Sequence, residues 1–101
     1  MNRYDEGYEF GVAYWVEHVR DLTPKERQFK GMAALVHCVK EFVEREDWDS
    51  ARDYAAGFAQ ALVDKEEALN RAMGKVATSF CVSNYAFVLS NMAKSFSRVG
   101  L

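Results

Sequence analysis

Apolar side chains recur along this chain at alternating spacings of four and three, the repeat of a helix with one face turned inward. Tyr8, Val12, Trp15, Val19 and Leu22 make the first stripe and predict a helix from about Tyr4 to Asp21. Gly11 lies within that stripe, where it lets a neighbour approach closely. Thr23-Pro24-Lys25-Glu26 closes this helix and opens the next. Threonine suits the N-cap, proline the first helical position, and a glutamate three residues after the cap completes a capping box.

The second predicted helix runs from Pro24 to about Arg45. Phe29, Met32, Val36, Val39 and Val43 form its stripe, and Leu35, Cys38 and Phe42 widen it to more than half the circumference. So broad a face suits a helix with two neighbours. Lys40 falls inside the stripe and is expected to snorkel outward or to meet a carboxylate. Asp47 is positioned to cap a third helix with the stripe Trp48, Ala51, Ala55, Phe58 and Leu62. A second capping signal, Asp64 with Glu67 three residues on, allows that helix either to break there or to continue.

Beyond it, Leu69, Met73, Val76 and Phe80 define one stripe, and Tyr85, Val88, Leu89, Met92, Phe96 and Val99 another. At 100° per residue the two are offset by roughly 150°. The last helix is therefore either bent or broken near residues 78–84, or buried on nearly all sides. Short connections favour antiparallel hairpins. The pattern predicts an all-α fold, a compact bundle of four to five helices forming a single domain over residues 1–101.

Composition narrows the picture. The chain has 101 residues, half of them hydrophobic and 28% charged, with one proline and six glycines. That excludes a disordered or fibrous chain, and also a barrel or sandwich of many short strands. Cys38 and Cys81 are isolated and form no CxxC pair, as in a protein of a reducing cytoplasm. The opening Met1-Asn2-Arg3-Tyr4-Asp5-Glu6 has no apolar core, so no signal peptide is expected. The uncharged run Val76 to Ala93 has the length of a membrane span. Thr78, Ser79, Ser83, Asn84, Ser90 and Asn91 make it too polar for lipid, and no membrane association is expected.

Catalytic chemistry finds little support. His18 has Glu17 and Asp21 nearby but no second ligand at i+4. His37 and Cys38 are adjacent, so on a helix they point about 100° apart and cannot share one metal. No phosphate-loop, zinc-protease, nucleophile-elbow or dinucleotide motif occurs. No catalytic residue, metal or cofactor is expected, and the chain reads as a non-enzyme.

Charge and aromatic placement say more. The net charge is only −2. Residues 22–40 nevertheless carry +3 through Lys25, Arg27, Lys30, Lys40 and Glu26, residues 41–53 carry −4, and no acid follows Ala68. Such polarity orients a charged partner. The basic C-terminal segment, with Arg71, Lys75, Lys94 and Arg98, makes a small nucleic-acid-binding protein the alternative reading. The modest total base argues against direct DNA binding.

Aromatic residues make up 14% of the chain, more than one small core readily consumes. Phe10 and Tyr14 lie opposite the first stripe among Glu17 and Asp21, as interface anchors with a polar rim do. Tyr54 beside Arg52, with Trp48 at the start of the same helix, extends this candidate partner-binding set. Thr23-Pro24, the one X-Pro bond, could present itself to a host prolyl isomerase.

The opening Met1-Asn2-Arg3-Tyr4-Asp5-Glu6-Gly7-Tyr8-Glu9-Phe10-Gly11 and the segment Asp47-Trp48-Asp49-Ser50-Ala51-Arg52-Asp53-Tyr54-Ala55-Ala56-Gly57-Phe58 carry a resemblance. In these stretches and in length the chain resembles the anti-RecBCD accessory proteins of lambdoid temperate phages. The resemblance implies a small non-enzymatic protein in the host bacterial cytoplasm. It would bind the RecBCD helicase–nuclease through the RecC subunit and change how linear DNA ends are processed, sparing them for phage recombination. It maps no functional residue onto this chain.

Overall fold

In the computed structural model, residues 2–73 and Asn91 are described. Helix α1, Arg3–Tyr14, begins at Asn2, whose side chain accepts the Asp5 N–H at 2.8 Å, with Asp5 and Glu6 in its first turn. Both features compensate the unpaired amides and positive pole of a helix start. The helix continues into a π-helical turn, Trp15–Val19, closed by the Arg20 N–H donating to the Trp15 carbonyl at 2.9 Å.

That turn has a geometric reason. The buried positions of this helix are Gly7, Gly11, Trp15 and Val19, all four apart. Four residues of α-helix advance 400°, so such a stripe drifts about 40° per step. A wider turn at Trp15–Val19 returns both side chains to the inner face.

Helix α2, Pro24–Cys38, starts with the predicted capping box: the Thr23 hydroxyl accepts the Glu26 N–H, and the Glu26 carboxylate accepts the Thr23 N–H at 3.0 Å. The helix does not run on to Arg45. Val39, at φ −101° and ψ 3°, interrupts it, and a single turn, α3, Lys40–Glu44, follows. The chain then reverses through Glu46 at φ 58°. The Glu46 N–H donates to the Val43 carbonyl and the Asp47 N–H to the Phe42 carbonyl, which is a Schellman closure with glutamate at the position glycine usually takes.

Helix α4, Trp48–Met73, is capped by Asp47, whose side chain accepts the Ser50 N–H at 3.2 Å. It passes through Asp64 without a break. The Asp64 carboxylate accepts the Tyr8 hydroxyl at 2.6 Å and the Gln60 side-chain amide at 2.8 Å, so it joins two helices rather than capping one.

The described residues contain helices and no strand, and the fold is all-α. The predicted bend near residues 78–84 lies outside the described residues. Helices α1 and α4 run in the same direction: Gly7 meets Tyr54, Gly11 meets Phe58, and Trp15 reaches Glu66. Helix α2 runs the opposite way, with Arg27 at Glu66 and Phe42 of α3 at Tyr54. Each consecutive pair of long helices is therefore antiparallel.

The seam between α1 and α4 is a backbone contact. A Cβ on Gly7 would overlap the Tyr54 carbonyl oxygen, one on Gly57 the Tyr4 carbonyl oxygen, and one on Gly11 would fall 2.7 Å from Ala61 Cβ. Around this seam Trp15, Val19, Leu35, Val39, Ala51, Ala55, Phe58, Ala59, Leu62 and Val63 form the core. Two members of the predicted second stripe lie outside it. Phe29 is 76% exposed and Val36 53% exposed, because Arg27, Gly31 and Leu35 turn a different side of α2 inward. Lys40 is exposed at the start of α3.

Candidate protein-docking surface

An aromatic row crosses one flank of the α1–α4 seam. The Phe10 ring lies 6.2 Å from Tyr14, 6.3 Å from Tyr54 and 5.8 Å from Phe58. Tyr14 continues the row to Phe58 at 5.9 Å and to the His18 ring at 5.1 Å, and Tyr54 continues it to Phe42 at 5.7 Å. All these pairs are tilted, within the range where ring quadrupoles attract. The row arises because Phe10 and Tyr14 are four apart on α1, as are Tyr54 and Phe58 on α4, and the parallel seam puts the two pairs side by side.

Exposure grades along the row. Phe58 is fully buried, Tyr14, Tyr54 and Phe42 are half-buried, and Phe10 is 44% exposed. Burial raises the Tyr54 hydroxyl above its ordinary pKa, so it stays protonated at neutral pH. At the Phe42 end two guanidinium groups stand over one ring: Arg3 at 4.9 Å and Arg45 at 5.4 Å from the centroid. Arg3 also bonds Glu6 at 2.8 Å. An apolar ridge with one prominent ring and fixed cations at its edge has the make-up of a protein-binding hot spot: desolvated anchor, polar rim.

Of the residues singled out in the sequence, Phe10, Tyr14 and Tyr54 are thus brought together. Trp48 is half-buried in the first turn of α4, and Arg52 bonds its neighbour Asp53 at 3.0 Å and lies 3.6 Å from Asp49. Thr23 and Pro24 are exposed at the other end of α2 from Phe42. No cis peptide occurs among the described residues, so their bond is trans, and both serve the cap of α2. Of the basic C-terminal set only Arg71 is described, and it is exposed. Phe42, Phe58, Arg3 and Arg45 were not singled out. Phe42 and Phe58 read as stripe members, and only the tertiary placement joins them to Phe10.

Arg27 departs most from its expected place. Counted among the surface cations of residues 22–40, it is instead buried, with its Nε 2.5 Å and its second terminal nitrogen 3.1 Å from the two oxygens of Glu66. It also donates to the Leu22 carbonyl at 2.6 Å, and the Trp15 indole N–H donates to Glu66 at 3.2 Å. A bidentate pair with these further bonds satisfies both charges away from water. It ties α4 to α2 and to the π-helical turn. The spacing of four shared by Arg27, Gly31 and Leu35 was the available signal.

Reactive chemistry is scarce in this region. Burial pushes the Cys38 thiol up to about 12, so it carries no thiolate at neutral pH, and its Sγ donates to the Leu35 carbonyl. His18 is exposed, 3.7 Å from Glu17. Among the described residues no three His, Cys, Asp or Glu side chains converge to hold a metal, and no helix is long and apolar enough to cross a membrane. Compared with protein-family models, curated proteins and solved structures, the chain matches none.

Proposed function

We propose that this chain is a phage protein that attaches to the bacterial RecBCD helicase–nuclease, through RecC, and alters its processing of linear DNA ends in the host cytoplasm. The observation that carries the attachment is the aromatic row, with Phe10 as its exposed anchor and Arg3 and Arg45 over the Phe42 ring at its far end. A protein that acts by occupying a larger enzyme needs a rigid scaffold, an anchor and oriented charge, and no bond-making group. The two stretches that carry the family resemblance also meet in space. Residues 1–11 supply Tyr4, Gly7 and Gly11, and residues 47–58 supply Tyr54, Gly57 and Phe58, the two sides of the seam that aligns the row.

The test uses purified RecBCD and the full chain. The unaltered protein is expected to bind it and to change nuclease activity on linear duplex ends. Phe10→Ala should weaken binding by roughly 30-fold or more with helicity kept, as a hot-spot truncation does. Val16→Ala, at an exposed position of the π-helical turn, should leave binding unchanged. Absence of binding to RecBCD overturns the proposal. Binding to DNA alone that falls steeply with salt would instead establish the nucleic-acid reading.

A further inference from the structure

Helix α2 carries a second apolar surface, outside the aromatic row. Phe29, Ala33 and Val36, at i, i+4 and i+7, are exposed in one line, with Met32 half-buried along its edge. No described residue covers this line. A ring 76% exposed in the middle of an apolar helix face marks an unfinished contact. The two ends of the line differ in charge. The recess at the Pro24 end has Lys25 and Lys30 against Glu26 in its lining, and the recess at the Cys38 end has Glu41 and Glu44 against Lys40. Among the described residues, none of these lysines and glutamates forms an ion pair.

We propose that a second copy of this chain covers the Phe29–Val36 line, the two α2 helices packing antiparallel about a two-fold axis at Ala33. Three observations converge on that occupant. Charge is self-complementary in this direction. Residues equally far from Ala33 meet across the axis, so Lys25 falls beside Glu41 of the second copy and Glu26 beside its Lys40, each pair made twice. A parallel pairing would instead set Lys25 on Lys25 and Glu41 on Glu41. The apolar line is self-complementary as well. Phe29 lies next to Val36 of the second copy and Val36 next to its Phe29, and their spacing of seven is the repeat of a two-helix seam. Lastly, the residue on the axis is small. Ala33 lets the helices approach where they cross, with the larger side chains on either side. Helix α2 is about 21 Å long, so the contact falls at the low end of interface sizes and the dimer forms reversibly.

Sedimentation equilibrium of the full chain at low ionic strength tests the pairing. The unaltered chain should pass from monomer to dimer with a dissociation constant on the order of 10 μM. Phe29→Asp should weaken dimerisation roughly 100-fold with helicity kept, and Val16→Asp on the π-helical turn should leave it unchanged. Lys25→Glu and Glu41→Lys should each weaken it roughly 10-fold, since each sets like charges together twice. Mixing these two variants should bring association back to the unaltered level, because every cross pair is then opposite in sign. The proposal is overturned if the chain stays monomeric into the millimolar range, or if Phe29→Asp or either charge variant associates as the unaltered chain does. It is equally overturned if the two charge variants do not rescue each other, or if hydroxyl radicals find Phe29 shielded in the dilute monomer, where it should react at least as fast as Phe10.

Discussion

Helix α4 is held on its two sides by opposite means. Against α1 the contact is made by what is missing: Gly7, Gly11 and Gly57 bring backbone against backbone, with no room for a methyl group. Against α2 the contact is made by side chains that reach across, Leu35 and Val39 into the core and Arg27 to Glu66. The first side fails when atoms are added and the second when atoms are removed. The rigid side carries the aromatic row, so close main-chain contact sets the ring positions on α1 and α4 relative to each other.

The largest effect separating the two sides should come from Glu66→Ala. It strips the buried Arg27 of its carboxylate and the Trp15 indole of its acceptor, and should cost about 3–5 kcal/mol in chemical denaturation. Replacing both ends with apolar residues of similar volume, Arg27→Met with Glu66→Leu, should recover most of that loss, because the penalty lies in the stranded charge. If the single variant is near neutral, the α2 side does not depend on this pair.

Next comes Gly57→Ala. On an exposed helix it would stabilise by up to about 1 kcal/mol. Here the added Cβ overlaps the Tyr4 carbonyl, and a net loss of about 1–3 kcal/mol is expected, with the Phe10–Tyr54 approach disturbed. Gain of stability would show that the helices are not in backbone contact.

The smallest effect probes the polar stitch across the seam. The Tyr8 hydroxyl donates to Asp64, and that bond together with burial raises its pKa from 10.0 to about 12. The fold favours the protonated phenol, so this stabilisation is complete below pH 10 and is lost as pH rises towards 12. Tyr8→Phe should lower stability at neutral pH slightly and flatten the alkaline fall, read as the unfolding midpoint against pH.

The same contrast explains what could be read in advance. Thr23, Pro24 and Glu26 acted as their types dictate because a cap is a local, three-residue problem. Trp15, Val19, Ala51, Ala55, Phe58 and Leu62 were found by periodicity because water rejects them wherever the helix is placed. Of the glycine seam only Gly11 was legible, as a gap in the first stripe that lets a neighbour approach; Gly7 and Gly57 left no signature, because a hydrophobic stripe registers side chains and this contact consists of their absence. Arg27 misled because charge normally goes to water, and the carboxylate that receives it here comes from 39 residues away. Phe29 and Val36 read as core for the converse reason. As for the docking surface, Phe10, Tyr14 and Tyr54 could be noticed as surplus rings. Their union with Phe58 and Phe42 depended on the direction in which α4 runs, which no local pattern encodes.

The π-helical turn leaves α1 holding one residue in surplus. Buried positions spaced 4, 4 and 3 would fit an ordinary α-helix, whereas Gly7, Gly11, Trp15 and Val19 are spaced 4, 4 and 4. Shortening the protein by one amino acid at Val16 or Glu17, both facing solvent, would let the strand of hydrogen bonds close in the common i to i−4 pattern with Trp15 and the present Val19 still inward. A gap tolerated at that spot, and nowhere between Arg3 and Tyr14, is the length variation this architecture permits.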